Sequence, residues 1–171
     1  MKGLNYWDFM VSEFLPGREY AFQSFWLKGK LIMSQARERI EYLFGNLTPH
    51  GQSSSPSVAR TVHNEEVNDV AYRAVKAIDE KATGVFCVDL KEDGEGKVKV
   101  MEINAGRFFT TSLFFSEAGM NMLYYYVKAG LGEKVERNLK PFNNIPPDWY
   151  WVRNVDCGYQ LIKNKWKNNK L

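Results

Sequence analysis

Histidine and cysteine are scarce in this chain of 171 residues, with two of each. His50 and His63 have no Cys or His partner at metal-binding spacing and no nucleophile beside them in a recognisable motif. Neither qualifies as a site residue, and His63 reads as the end of a strand. Cys87 and Cys157 lack zinc or redox spacing. Cys87 lies inside an apolar run, so it reads as a buried, reduced thiol of a cytoplasmic protein. Long apolar runs are missing as well, and none approaches the length that spans a membrane. The first fifteen residues do not form a secretory signal, because Asp8 and Glu13 interrupt what would be its apolar core. A broad basic face is also lacking. The net charge is +3, but Lys163, Lys165, Lys167 and Lys170 sit in an acid-free tail, and without those four the balance is −1. Neither nucleic acid nor membrane is an expected partner.

What is present is an ordinary globular composition, 44% hydrophobic, in one domain's length or a large part of one. Two alternating runs rich in β-branched and aromatic residues, 85–91 and 97–104, read as paired strands. Glu92-Asp-Gly-Glu-Gly96 between them is a hairpin turn signal. A turn centred on Glu95-Gly96 places Asp89 opposite Glu102, and Asn104, two residues on, shares the face of Glu102. Two carboxylates so close repel unless a proton or a cation bridges them. An oxygen-only set suits Mg²⁺ or Mn²⁺. The competing reading is a solvated outer face.

The spacing from Asp89 to Glu102-Ile-Asn104 resembles the metal-binding hairpin of the ATP-grasp superfamily. The run Glu-Ile-Asn-Ala-Gly-Arg-Phe-Phe-Thr-Thr-Ser from 102 to 112 looks most like proteins related to the carbamoyl-phosphate synthase large subunit. Glu13-Phe-Leu-Pro-Gly-Arg-Glu19 resembles the hinge of the same superfamily. The resemblance implies that Glu13, Phe14 and Leu15 contact adenine and that Glu19 accepts hydrogen bonds from the ribose hydroxyls. It implies that Asp89, Glu102 and Asn104 hold Mg²⁺ or Mn²⁺ against the phosphates of ATP. Arg107 follows Asn104 one residue later than the phosphate-directed arginine of many relatives, so that role carries over loosely. Arg37 and Arg39, on one strand face, are candidates for the phosphates or an acidic substrate, since a guanidinium holds oxyanions bidentately. The alternative for them is a surface ion pair with Glu38 or Glu41.

The remaining elements follow in order. Residues 9–15 form a short apolar strand candidate ended by Pro16-Gly17. Residues 18–27 and 31–40 alternate about a turn at Lys28-Gly29-Lys30 and form a first hairpin. Residues 45–57 are a polar loop. Asn64 caps a helix with apolar stripe Val67, Val70, Ala71, Ala74, Val75 and Ile78, ended by Thr83-Gly84. Thr110, Thr111 and Ser112 read as caps of the next helix, and residues 120–131 as an apolar helix whose Tyr124, Tyr125 and Tyr126 pack rather than stack on a ligand. Residues 141–147 break the chain, 149–156 form a last strand, and 159–171 a solvated, fraying helix.

These features predict an α+β fold, a largely antiparallel sheet backed by two or three helices. Its parts are an entry segment at 1–8, an ATP-grasp C-terminal lobe at 9–133, and an extension at 134–171 packed on the same lobe. The function expected is the catalytic lobe of an ATP-dependent ligase acting on a small carboxylate or carbamate. The alternative is a non-catalytic nucleotide-sensing or assembly module. No Gly-rich loop followed by a phosphate-binding lysine occurs in the sequence. A second, N-terminal lobe in cis or in trans is therefore the expected partner, and the isolated chain is expected to be inactive.

Overall fold

Strands β1 (Glu19–Leu27) and β2 (Lys30–Tyr42) form the hairpin at the centre of the molecule. Lys28 and Gly29 close it with φ of 49° and 79°, as a two-residue turn matched to strand twist requires. Gly29 has a second reason to be glycine: a Cβ there would lie 2.3 Å from the carbonyl oxygen of Glu80. The close approach is used, because Gly29 N–H donates to the Ala82 carbonyl and Lys76 Nζ to the Gly29 carbonyl. The structure, a computed structural model, describes residue 3 and residues 11–47, 55–135, 139–154, 156 and 158–163. His50, Cys157, Trp166, residues 164–171, all of the entry segment but Gly3, and 48–54 of the polar loop lie outside these.

The other strands are β3 (Pro56–Val62), β4 (Gly84–Glu92), β5 (Val98–Ala105), β6 (Trp149–Asn154) and β7 (Gly158–Lys163). They join the hairpin in one seven-stranded sheet of order β5-β4-β1-β2-β3-β6-β7, antiparallel throughout. Helix α1 (Glu65–Ile78) covers one face, burying Val67, Ala71 and Val75 against Tyr20, Phe22, Trp26, Val88 and Leu90. Helices α2 (Ser112–Glu117) and α3 (Met122–Gly130) cover part of the other, over Ala21, Phe25, Met33, Ala59 and Cys87. With both faces covered, β1 is buried along nearly its whole length rather than on alternate residues. Each large side chain so buried contributes roughly 1.5–3 kcal/mol.

Several expectations are corrected. Residues 11–16 are not a strand; Val11 and Phe14 are exposed, and the first backbone bond to the sheet runs from Gly17 N to Glu92 O. Helix α1 begins as read, with the Asn64 side chain accepting from Val67 N at 3.1 Å. It ends at Ile78, five residues before Thr83, because Asp79 turns extended and the chain bends to meet the Gly29 turn. Ile78 is accordingly exposed. The polar loop is shorter than read, since Pro56 and Ser57 already belong to β3, a proline being tolerated as a first strand residue. The apolar helix read at 120–131 is α3, and the shorter α2 precedes it, parted from it at Gly119 with φ 103°; Asn121 starts α3, its side chain accepting from Tyr124 N. Tyr126 packs edge-on to Phe25 and Phe108, while Tyr124 stays half exposed. The last strand, β6, stops at Asn154, and residues 158–163 are an edge strand rather than a helix, paired with β6 after a turn at Gly158 with φ 72°. The irregular 141–147 segment is tied to the sheet by bonds from Ser34 Oγ to Pro141 O and from Ile145 N to Gln35 Oε1.

Candidate functional site

The end of the sheet that α2 and α3 leave uncovered carries the chemistry. Glu19 and Ala21 on β1, Arg37 and Arg39 on β2, Cys87 and Asp89 on β4 and Glu102 on β5 share one face, because each is in register with, or two residues from, the next. A cavity of about 700 Å³ opens there, lined by Glu19, Arg37, Arg39, Asp89, Glu102 and Arg107, with Cys87, Met101, Phe109 and Thr110 between them. A larger groove, about 840 Å³, lies on the α1 side over Leu31, Tyr72 and Phe142. Volume does not decide between them. Only the smaller cavity brings three acids and three arginines together.

Asp89 stands directly opposite Glu102, as read, but by another route. The turn closes between Asp93 and Lys97, one residue tighter in register than a turn centred on Glu95-Gly96, so Lys91 pairs with Lys99 and Leu90 with Val100. A bulge at Met101 then restores the pairing of Asp89 with Glu102. Opposed side chains start about 5 Å apart, and two carboxylates at that distance repel by roughly 3 kcal/mol at an effective dielectric near 20. Asp89 receives Arg39 Nη2 at 2.9 Å. Glu102 is exposed and has no hydrogen-bond or ion-pair partner among the described residues. Asn104 sits opposite Cys87 on the same face, outside the cavity lining, and its amide nitrogen is buried without a partner. Among the described residues no three His, Cys, Asp or Glu side chains cluster into a closed metal site. Two carboxylates and an unengaged amide fit a hard divalent cation that takes its other oxygens from a ligand.

The arginines are not surface partners of Glu38 or Glu41, the alternative the sequence left open. Glu38 pairs with Arg60. Arg39 bridges Glu19 and Asp89, and Tyr42 Oη donates to the second oxygen of Glu19 at 2.8 Å. Arg37 is only 3% exposed and has no carboxylate partner among the described residues. It donates to Thr111 Oγ1 and lies 4.1 Å from the ring centroid of Phe109 and 5.0 Å from that of Trp151, with its Nε unpartnered. Burial, with repulsion from Arg39, lowers its pKa to about 9, so it remains a cation at neutral pH. Thr111 occupies the N-cap position of α2 without capping it, since its hydroxyl serves Arg37 instead. Arg107 is exposed at the cavity, its carbonyl fixed by Gln23 Nε2. Cys87 is buried and free, and burial raises its thiol to about 12. Glu13, Phe14 and Leu15 do not line the cavity, although Glu19 does.

Sequence reasoning did not single out Tyr42, Phe109 or Trp151. Tyr42 reaches Glu19 only because irregularities between Arg39 and Tyr42 break the alternation of β2. Phe109 and Trp151 meet Arg37 from distant parts of the chain, where no local pattern points to them. Among the described residues no helix is long and apolar enough to cross a membrane.

A family model described as "ATP-grasp in the biosynthetic pathway with Ter operon" matches residues 5–149. No curated protein matches the sequence. Solved structures with a similar fold include the biotin carboxylase domain of thermophilic 2-oxoglutarate carboxylase bound to bicarbonate (14% identity, TM-score 0.58, 82% of this chain and 30% of that one). Another is N5-carboxyaminoimidazole synthetase from Staphylococcus aureus complexed with ADP (13%, 0.58, 82% and 36%). A third is L-amino acid ligase from Bacillus licheniformis (16%, 0.56, 81% and 33%). The chain spans about a third of the length of each.

Proposed function

The chain belongs to the ATP-grasp family, and from that premise we propose that it is the nucleotide- and metal-binding lobe of an ATP-dependent ligase of the acyl-phosphate type. The observation that carries the reading is the convergence of Glu19, Asp89, Glu102 and three arginines on one cavity. Similar folds named as a synthetase complexed with ADP and as an amino acid ligase support it. So does the run from Glu102 to Ser112, whose likeness to carbamoyl-phosphate synthase points to a carboxylate or carbamate acceptor.

In this proposal Glu13, Phe14 and Leu15 flank the adenine, and Glu19, with two acceptor oxygens, takes the ribose hydroxyls. Asp89, Glu102 and Asn104 would hold Mg²⁺ or Mn²⁺. Bound there, the ion would supply neutralisation of charge on the β- and γ-phosphates. Arg107 lies on the segment leaving β5 and would offer an exposed cation to the transferred phosphoryl group. Arg37 is fixed by Thr111, Phe109 and Trp151 and lacks a carboxylate, so it is placed to hold an acidic acceptor. No general base is required, because positioning and electrostatics dominate phosphoryl transfer. The other half of the triphosphate cradle is assigned to a second lobe, in cis or in trans.

Equilibrium dialysis with radiolabelled ATP and Mg²⁺ tests the reading. Glu19→Ala should weaken ATP binding tenfold or more. Equal affinity in the two proteins would remove Glu19 from the nucleotide site.

A further inference from the structure

Arg39 occupies the space between the two acids to which the proposed function gives different ligands. Its Nη1 donates to Glu19 Oε1 and its Nη2 to Asp89 Oδ1 at 2.9 Å, and its side chain is 9% exposed. Glu19 is pinned further by Tyr42. The two acids lie on neighbouring strands, with Glu19 opposite Lys91 and Asp89 opposite Ala21. The guanidinium is therefore the only group among the described residues that ties them together. It is not fully used, since Nε is buried without a partner. One positive charge serves two carboxylates, and the third acid of the cavity, Glu102, receives nothing from the described residues.

We propose that Arg39 is a displaceable internal cation that couples occupancy of the ribose acid, Glu19, to occupancy of the metal acid, Asp89. The proposal rests on the assignment of those two acids made above. A divalent ion on Asp89 and Glu102 takes over the oxygen that Arg39 Nη2 holds. Ribose hydroxyls on Glu19 take over the oxygen that Nη1 holds. Either event removes one of the guanidinium's two anchors and so weakens its hold on the other acid. Each ligand thereby lowers the barrier to the other, and the coupling is reciprocal by linkage. In the free protein Arg39 suppresses cation binding, which keeps the carboxylate pair from taking up Mg²⁺ until nucleotide arrives. The freed guanidinium presents five donors in a fork suited to phosphate oxygens, so the residue that guards the acids also has a place in the loaded site. Arg39 acts here through Glu19 and Asp89 and is a positioning residue.

The test is Mn²⁺ binding to the whole 171-residue chain, followed by electron paramagnetic resonance of free Mn²⁺, with and without adenosine. Adenosine carries the ribose hydroxyls but no phosphate, so it cannot bind the ion itself through a phosphate bridge. Wild type should bind Mn²⁺ weakly and severalfold more tightly with adenosine. Arg39→Gln should bind Mn²⁺ about tenfold more tightly than wild type without adenosine, and adenosine should add nothing. Arg39→Lys keeps the charge but cannot span both acids, so it should lose the adenosine effect as well, and it decides the matter if Arg39→Gln fails to fold. Equal Mn²⁺ affinity in wild type and variants, or an adenosine effect that survives in both variants, overturns the coupling and leaves the metal assignment standing. No Mn²⁺ binding in any of the proteins overturns the metal assignment and the coupling with it.

Discussion

Asp89 faces Glu102 across the β4–β5 ladder because one residue, Met101, bulges between two stretches of different register. On the turn side of the bulge the hairpin is in the register that would set Asp89 opposite Met101 and Glu102 opposite Val88. A one-residue slip exchanges the faces of a strand. Without the bulge Glu102 would point into the α1 side, where Val88 is buried. The bulge is what delivers both acids to one cavity, and bulges are common beside sites because they re-aim a side chain in this way.

Arg37 and Arg39 should respond oppositely to loss of charge. Arg37→Met removes a buried cation that has no carboxylate partner, losing ring contacts but also relieving desolvation, so stability should stay within about 1 kcal/mol of wild type. Arg39→Met leaves Glu19 and Asp89 unpaired in a mostly buried setting and should destabilise by about 3 kcal/mol. Mn²⁺ should recover part of that loss. Thermal melts of both variants, with and without Mn²⁺, check the contrast; two equally destabilised variants would refute it.

Acid should reveal the anchor of the segment that enters β1. Glu92 is buried, and hydrogen bonds from Arg18 and Tyr20 outweigh the effect of burial and lower its pKa. A folded-state pKa below the unfolded value gives stability that is complete above about pH 4.3 and lost as pH falls through the folded value. Glu92→Gln should be about 2 kcal/mol less stable at pH 7. Arg18 is largely exposed and screened, so Tyr20 carries most of that. The gap should close as pH falls through the folded-state pKa of Glu92, read by urea unfolding at each pH.

Gly29→Ala should destabilise by about 3 kcal/mol, because the residue has φ 79° and its Cβ would press on the Glu80 carbonyl. Gly94→Ala, where a Cβ meets nothing within 4 Å, should change stability far less. Similar melting temperatures for the two variants would contradict the packing of the hairpin turn on the end of α1.

Much of this was legible where the signal is local. Alternation and the Lys28-Gly29 turn mark the first hairpin, Asn64 with Val67, Ala71 and Val75 marks α1, and Asp89 with Glu102 and Asn104 marks the candidate metal face. What escaped depends on contacts far apart in the chain. Thr111 looks like a cap until Arg37, 74 residues away, takes its hydroxyl. The Leu161-Ile162 strand is hidden in a basic, Asn-rich tail and is fixed by pairing with β6. Ile78 fits the apolar stripe, but the helix ends there to accommodate the Gly29 turn. The correct Asp89–Glu102 pairing was reached through a turn one residue out, and the bulge that compensates leaves no mark in the sequence.

The most direct test of the account is paramagnetic broadening of backbone amide signals during Mn²⁺ titration of the chain. Mg²⁺-type sites usually share the ion with substrate phosphate, so the affinity without nucleotide should be modest. Broadening should centre on Asp89, Glu102 and Asn104, and Glu102→Ala should require at least tenfold more Mn²⁺ for the same effect. Broadening that is unchanged in Glu102→Ala, or that centres elsewhere on the sheet, would contradict the assignment of this face as the metal site.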